Sequence, residues 1–258
     1  MKRTFLALAV VVLLAPMASA QMSPVKATAY RWKEAMASSD GGITMRPILS
    51  GSTLDLDSLD IRAITLAPGA SSETDGTHDD TELFAMVKEG TLWCTIGGLT
   101  LQLGAGSVAL ALPGDHAAVV NKGTTPATIY LFSYKSKAPM DLARGKAAGG
   151  SFMVSYDGLT EKPTASGTRR DVLNRPTAMF KRFEAHYSSV NEGLRNHATH
   201  THRADELMML TKGEVDVLLG DAHPKASASD IVFLGSMIPH SLANIGKGPT
   251  AYLVIQGE

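Results

Sequence analysis

The sequence predicts an all-β protein, sandwich or barrel, built as two similar halves in tandem. Three observations lead there. Short apolar runs are separated by glycine-rich turns, long stretches of 3.6-residue periodicity are missing, and a group of histidine and glutamate residues recurs at one fixed spacing.

In the first half the runs of strand length are residues 59–66, 83–87, 91–96, 99–103, 107–112 and 127–134. They are broken at Pro68-Gly69, Glu89-Gly90, Gly97-Gly98 and Gly104-Ala105-Gly106. The second half replays this pattern over residues 179–187, 207–210, 214–218, 229–234 and 250–255, with turns at Lys212-Gly213 and Gly220-Asp221. Ahead of both, residues 21–60 read as irregular, with a short helix over 29–36 stopped by the cluster Ser38-Ser39-Asp40-Gly41-Gly42. Residues 138–150 lack periodicity and are expected to be the linker between an N-terminal domain, 21–137, and a C-terminal domain, 151–258. Residues 151–156 could be a strand of either half. Residues 157–175 read as a solvated connecting loop; on the alternative reading, Arg169, Arg170 and Arg175 bind a carboxylate at the mouth of the second barrel.

The N-terminus has the layout of an export signal. Met1-Lys2-Arg3 is basic, residues 5–14 are apolar but too short to span a bilayer, and Ala18-Ser19-Ala20 supplies small residues for cleavage before Gln21. Residues 1–20 are therefore expected to be removed on the way to a periplasm or the cell exterior. A formal charge of −1, from 24 basic and 25 acidic residues, offers no nucleic-acid surface. No later segment reads as membrane-spanning. Cys94 is the only cysteine, so packing rather than an internal disulfide must hold the fold, and Cys94 itself reads as a small buried hydrophobe.

The chemistry concentrates between Asn196 and Glu206. In a strand, side chains two apart share a face, so His200, His202 and Glu206 can all point into a barrel. Two imidazoles and a carboxylate hold a divalent transition ion while leaving positions open, and His240 of Pro239-His240 is the candidate fourth ligand. An ordinary solvated face would explain a lone His-x-His pair as well. Recurrence favours the metal. His78 and His202, Glu82 and Glu206, and His116 and His240 all stand 124 positions apart, although His occurs only 8 times in 258 residues. After one inserted residue, Asn121 matches Asn244 and Pro126 matches Pro249. Gly76 occupies the place of His200, which leaves His78, Glu82 and His116 as a weaker second site, with Asp75 or Asp79 as substitutes. Met208 and Met209 read as barrel lining.

His200-x-His202-x3-Glu206-x6-Gly213, followed by Pro239-His240-x3-Asn244, resembles the two signature motifs of the cupin superfamily. The resemblance implies double-stranded β-helix barrels of jelly-roll type, and a bicupin over nearly the whole mature chain: a C-terminal cupin with the full metal motif and a degenerate N-terminal one. In cupins the two histidines and glutamate of the first motif and the histidine of the second bind metal, which implicates His200, His202, Glu206 and His240. Asn244 would orient His240 or a neighbouring loop. Manganese or iron is the favoured ion, and zinc, nickel and copper also suit the set.

The implied activity is that of a metal-dependent lyase, isomerase, decarboxylase or hydrolase acting on a small hydroxy, keto or sugar acid. The alternative is a non-catalytic protein binding a small ligand or sugar, with a structural metal. Proton-transfer candidates are His186, Tyr187 and His197; as neighbours, His186 and Tyr187 face opposite ways on a strand. Ureidoglycine aminohydrolases share the architecture but carry Glu and Gln where this chain has His200 and His240, so their activity is not carried over. The expected partners are a small molecule and further copies of the chain, with neither nucleic acid nor membrane.

Overall fold

A computed structural model describes residues 22–74 and 78–258. Residues 1–21, which include the expected leader, and Asp75, Gly76 and Thr77 beside His78 lie outside the described residues. Among the described residues the architecture is almost entirely β, with one six-residue helix and one 3-10 turn.

Each half sets a seven-stranded antiparallel sheet against a smaller one. In the N-terminal half the large sheet is centred on Glu82–Glu89, Ala127–Ser136 and Leu56–Leu66, and the small one on Ala117–Val120 and Thr91–Ile96. In the C-terminal half the corresponding strands are Asp205–Lys212, Thr250–Gly257 and Phe183–Val190, and then His240–Asn244 and Glu214–Leu219.

The two large sheets carry apolar side chains on both faces, which explains why their sequences alternate so imperfectly. Met208 and Leu210 point into the C-terminal barrel, while Leu207 and Met209 point into a shared core between the halves. Leu83 and Val87 line the N-terminal barrel, whereas Phe84 and Met86 join the shared core. Aromatic rings dominate that shared layer: Phe84 is fully buried and meets Phe132 and Phe183 edge-on at centroid separations of 5.9 and 5.6 Å. Such contacts add to the stabilisation from area burial alone. Phe84→Ala should therefore cost about 3–5 kcal/mol in a reversible urea denaturation, and a loss below ~1 kcal/mol would show that the layer does not hold the halves together.

Several expectations change. No helix forms over residues 29–36: Thr28–Tyr30 is a strand paired with Ile231–Leu234 of the other half, and the following backbone is held by Trp32 N–H donating to Asp230 Oδ1 at 2.8 Å. A tertiary partner thus takes the groups a helix would have satisfied internally. The return exchange is Phe152–Val154, which pairs with Val108–Ala111. Each short strand covers an edge of the opposite half's sheet, which blunts it against pairing with other chains. Residues 138–150 are not irregular throughout, because Leu142–Ala147 is a helix whose first turn is capped by Asp141 Oδ1 accepting from Arg144 N–H at 2.8 Å.

Residues 157–175 are not a solvated loop either, since Glu161–Pro163 and Gly167–Arg175 are strands of the C-terminal sheet. The guanidinium of Arg170 donates to Leu159 O and lies over the Tyr156 ring, and that of Arg175 donates to Gly150 O. Among the described residues no helix is long and apolar enough to cross a membrane.

Candidate metal centre

Three stretches of chain meet at one end of the C-terminal barrel. His240 opens the strand His240–Asn244, Glu206 is the second residue of Asp205–Lys212, and His200 and His202 lie just before that strand. A pair of backbone hydrogen bonds locks two of the stretches together. His240 N–H donates to His200 O at 3.0 Å, and His200 N–H donates to His240 O at 3.3 Å. As a result the ring of His240 sits 4.8 Å from those of both His200 and His202, and one ligand nitrogen from each of the three lies within 4.8 Å of the others. Glu206 Oε2 stands 3.1 Å from His202 Nε2 and 4.0 Å from His240 Nε2.

Hydrogen bonding sets two of the ring tautomers. A carbonyl oxygen only accepts, so Nδ1 of His240 must donate to Ile238 O, and Nδ1 of His202 to Ala204 O, both at 2.8 Å. Each Nε2 then presents a lone pair to the centre. His240 Nε2 is buried without a hydrogen-bond partner, which is costly for a polar atom unless a cation completes it. His202 Nε2 faces the Glu206 carboxylate, an arrangement that calls for a positive charge between them: a proton or a metal ion. The Gln256 amide donates to the same carboxylate oxygen. The donor set therefore fits a divalent ion held by His200, His202, His240 and Glu206.

The charge states follow these contacts. Burial pushes the Glu206 carboxyl up, but hydrogen bonds from His202 and Gln256 and the nearby imidazoles outweigh it and hold the group below its ordinary value. The hydrogen bond to Glu206 raises His202, whereas burial lowers His240.

Beside the histidines lies a cavity of about 330 Å³, walled by the hydroxyls of Ser166, Thr168, Ser188 and Ser189. Of the proton-transfer candidates, His186 lines this cavity, and burial, its largest influence, lowers it. Its Nδ1 lies 3.2 Å from Glu184 Oε1 yet makes no aligned hydrogen bond. Tyr187 points the other way, donating to Gly106 O of the opposite half at 2.6 Å. His197 is exposed, with Nδ1 3.1 Å from His200 Nδ1. Arg169 is the one arginine of its strand that reaches the cavity, and there it is paired with Glu184 at 2.7 Å and Asp171 at 2.6 Å.

Sequence reasoning missed Gln256 and Glu184. Gln256 continues the inward face of Tyr252 and Val254, so a polar residue in an apolar parity was the available signal. Glu184 had no comparable mark.

The structure does not bring His78, Glu82 and His116 together. His78 Nε2 donates to Asp115 O at 2.6 Å. Glu82 is fully buried in the shared core, where its oxygens accept from Tyr134 O–H at 2.7 Å and Ala178 N–H at 2.9 Å, and burial raises its pKa. His116 is exposed beside Glu73, 3.5 Å away. The cause is the register of the repeat.

The strands that open at Glu82 and Asp205, the turn glycines Gly90 and Gly213, and Asn121 and Asn244 are all 123 apart, not 124. Both glycines have positive φ at points where a Cβ would stand 2.7 Å from Ala127 or 2.9 Å from Thr250. Glu206 therefore corresponds to Leu83, and His240 to Ala117. A slip of one residue turns every side chain to the other face. Of the two roles expected for Asn244, the structure shows the loop and not a hydrogen bond to His240: it donates to Val190 O and Gly248 O and accepts from Gly246 N–H, and Asn121 ties its own loop likewise through Leu66 O, Thr125 O and Gly123 N–H. The pair marks the fold rather than the metal centre.

These barrels have the cupin jelly-roll fold, as comparison with solved structures shows. The oxalate decarboxylase of Lactobacillus farciminis, solved as a formate complex, is similar over 91% of this chain and 87% of its own, with a TM-score of 0.71 and 13% identity. Protein Ylba of E. coli covers 89% and 90% at a TM-score of 0.69 and 14% identity. AerE of Microcystis aeruginosa covers 87% and 97% at 0.66 and 13%. The sequence matches no protein-family model and no curated protein.

Proposed function

We propose that the chain is an exported bicupin whose C-terminal barrel is a metal-dependent enzyme centre for a small oxygen-rich acid. One observation carries this reading: three imidazoles and a carboxylate converge, with the buried His240 Nε2 unpartnered, at the edge of a hydroxyl-lined cavity. Manganese or iron is the favoured ion. When bound, such an ion polarises a carboxylate or carbonyl oxygen and lowers the pKa of water.

The protein's own residues supply the rest. Ile238 and Ala204 hold two ring tautomers, Gln256 steadies Glu206, and the serine and threonine wall offers hydrogen bonds to hydroxyl groups. His186 lines the cavity, burial lowers its pKa, and its Nδ1 is buried beside Glu184 without an aligned partner, which makes this ring the candidate to take or return a proton, with Glu184 and Arg169 behind it. The fold shared with an oxalate decarboxylase makes decarboxylation of small dicarboxylic and keto acids the first chemistry to try. The N-terminal barrel serves without a metal, and the leader directs export. Its partners are the substrate and further copies of the chain.

Elemental analysis and a turnover panel test the proposal together. The purified protein should hold about one transition ion per chain, His200→Ala should lose most of it, and His78→Ala little. Equal loss in the two variants would overturn the assignment to the C-terminal barrel. A full metal complement with no turnover on hydroxy, keto and sugar acids would instead make this a binding protein with a structural ion.

A further inference from the structure

The N-terminal barrel encloses a cavity of about 110 Å³. Its existence follows from a set of substitutions between the halves. By strand pairing, Leu83 opposite Ala111 and Ala85 opposite Ala109 correspond to Glu206 opposite Leu234 and Met208 opposite Val232. Likewise Ala117 opposite Ile96 corresponds to His240 opposite Leu219. Alanines therefore stand where the second barrel has Met208, Val232, Leu234 and His240, and the space those side chains fill is left open in the first.

The wall is otherwise completed by Val87, Leu103, Ile129 and Leu131. Of the polar groups there, Ser107 is already engaged, its Oγ accepting from Tyr156 N–H at 3.2 Å. The Cys94 thiol, which also lines the space, is a weak partner for water. An ordered water needs two to four polar partners, and an apolar cavity of ~150 Å³ in another protein stays dry and takes up benzene or xenon. The mouth is edged by Ser72, Thr74 and Thr95, all half-buried, and by the exposed Glu73, so the chamber communicates with the surface.

We infer that the N-terminal barrel is a binding site for a small apolar molecule, an aromatic ring or a short branched alkyl group, chemically unlike the ligand of the metal centre. The two barrels then divide their labour. One presents imidazoles and hydroxyls, and the other a dry apolar chamber made by trimming the same inward positions to alanine.

Benzene is the probe. Saturating benzene should raise the Tm of the full-length protein by about 2–4 °C, because it binds the folded state alone. Ala111→Leu, which copies Leu234 of the second barrel, should abolish that rise while leaving the metal content unchanged. Benzene should also slow modification of the Cys94 thiol several-fold at alkaline pH, a readout that holds even if Ala111→Leu overpacks the barrel and misfolds. No rise in the wild-type protein, the same rise in a folded Ala111→Leu variant, or an unchanged rate of Cys94 modification would each overturn the inference.

Discussion

Replacing His240 with alanine should weaken metal binding by at least about 100-fold, more than any other single substitution at the centre. The argument rests on preorganisation. His240 is 3% exposed, its Nδ1 is committed to Ile238 O, and its Nε2 has no protein partner, so the lone pair is aimed before any ion arrives. His200, by contrast, is exposed, and its Nδ1 lies against His197. His200→Ala should therefore cost less than His240→Ala. Competition with a chelator of known affinity, read by elemental analysis, measures both. A His240→Ala protein that keeps its metal against the same chelator concentration as the wild type would remove the central claim about this barrel.

Metal affinity should also fall steeply as the solution is acidified from pH 7.5 to 5.5. Protons and the ion compete for the same imidazole lone pairs, so each ring must be neutral to bind, and the ordinary imidazole pKa is about 6.5. The sign of each shift sets the order of events. His202, raised by its hydrogen bond to Glu206, takes up a proton before His240 as pH falls. His240, lowered by burial, stays neutral to more acidic pH. Glu206 is held below its ordinary value and remains ionised throughout this window, so it adds nothing to the slope. Each ring that must give up a proton to bind steepens the dependence further. Binding isotherms at half-unit intervals test this, and an affinity that stays constant between pH 7.5 and 5.5 would exclude histidine ligation.

Much of the C-terminal site was legible because it depends on short-range rules. His200, His202 and Glu206 fall within seven residues, and a turn at Gly213 closes the strand that carries Glu206; both histidines lie just ahead of that strand, so their closeness in sequence rather than a regular pleat brings them to it. The N-terminal counterpart misled for the opposite reason. Histidine and glutamate recur at 124, but the strands and turns recur at 123; Gly90 with Gly213 and Asn121 with Asn244 carry that count in the sequence, and hydrogen-bonded partners such as Leu83 with Ala111 show that the fold obeys it. Residues 29–36 failed in the same way. Their local propensity suggested a helix, but the edge of a sheet 200 residues downstream recruited Thr28–Tyr30 as a strand.

The chain alone determined the β class and the turns between strands, because pleat and turn chemistry act between near neighbours, and its motifs named the imidazoles that meet at one barrel end. Tertiary structure decided the rest: which face Glu82 takes, how the halves exchange their edge strands, that Tyr187 turns away from the cavity His186 lines, and that the N-terminal barrel holds an apolar cavity. Those outcomes are set by register and packing between residues far apart in the chain, and neither composition nor local spacing carries that information.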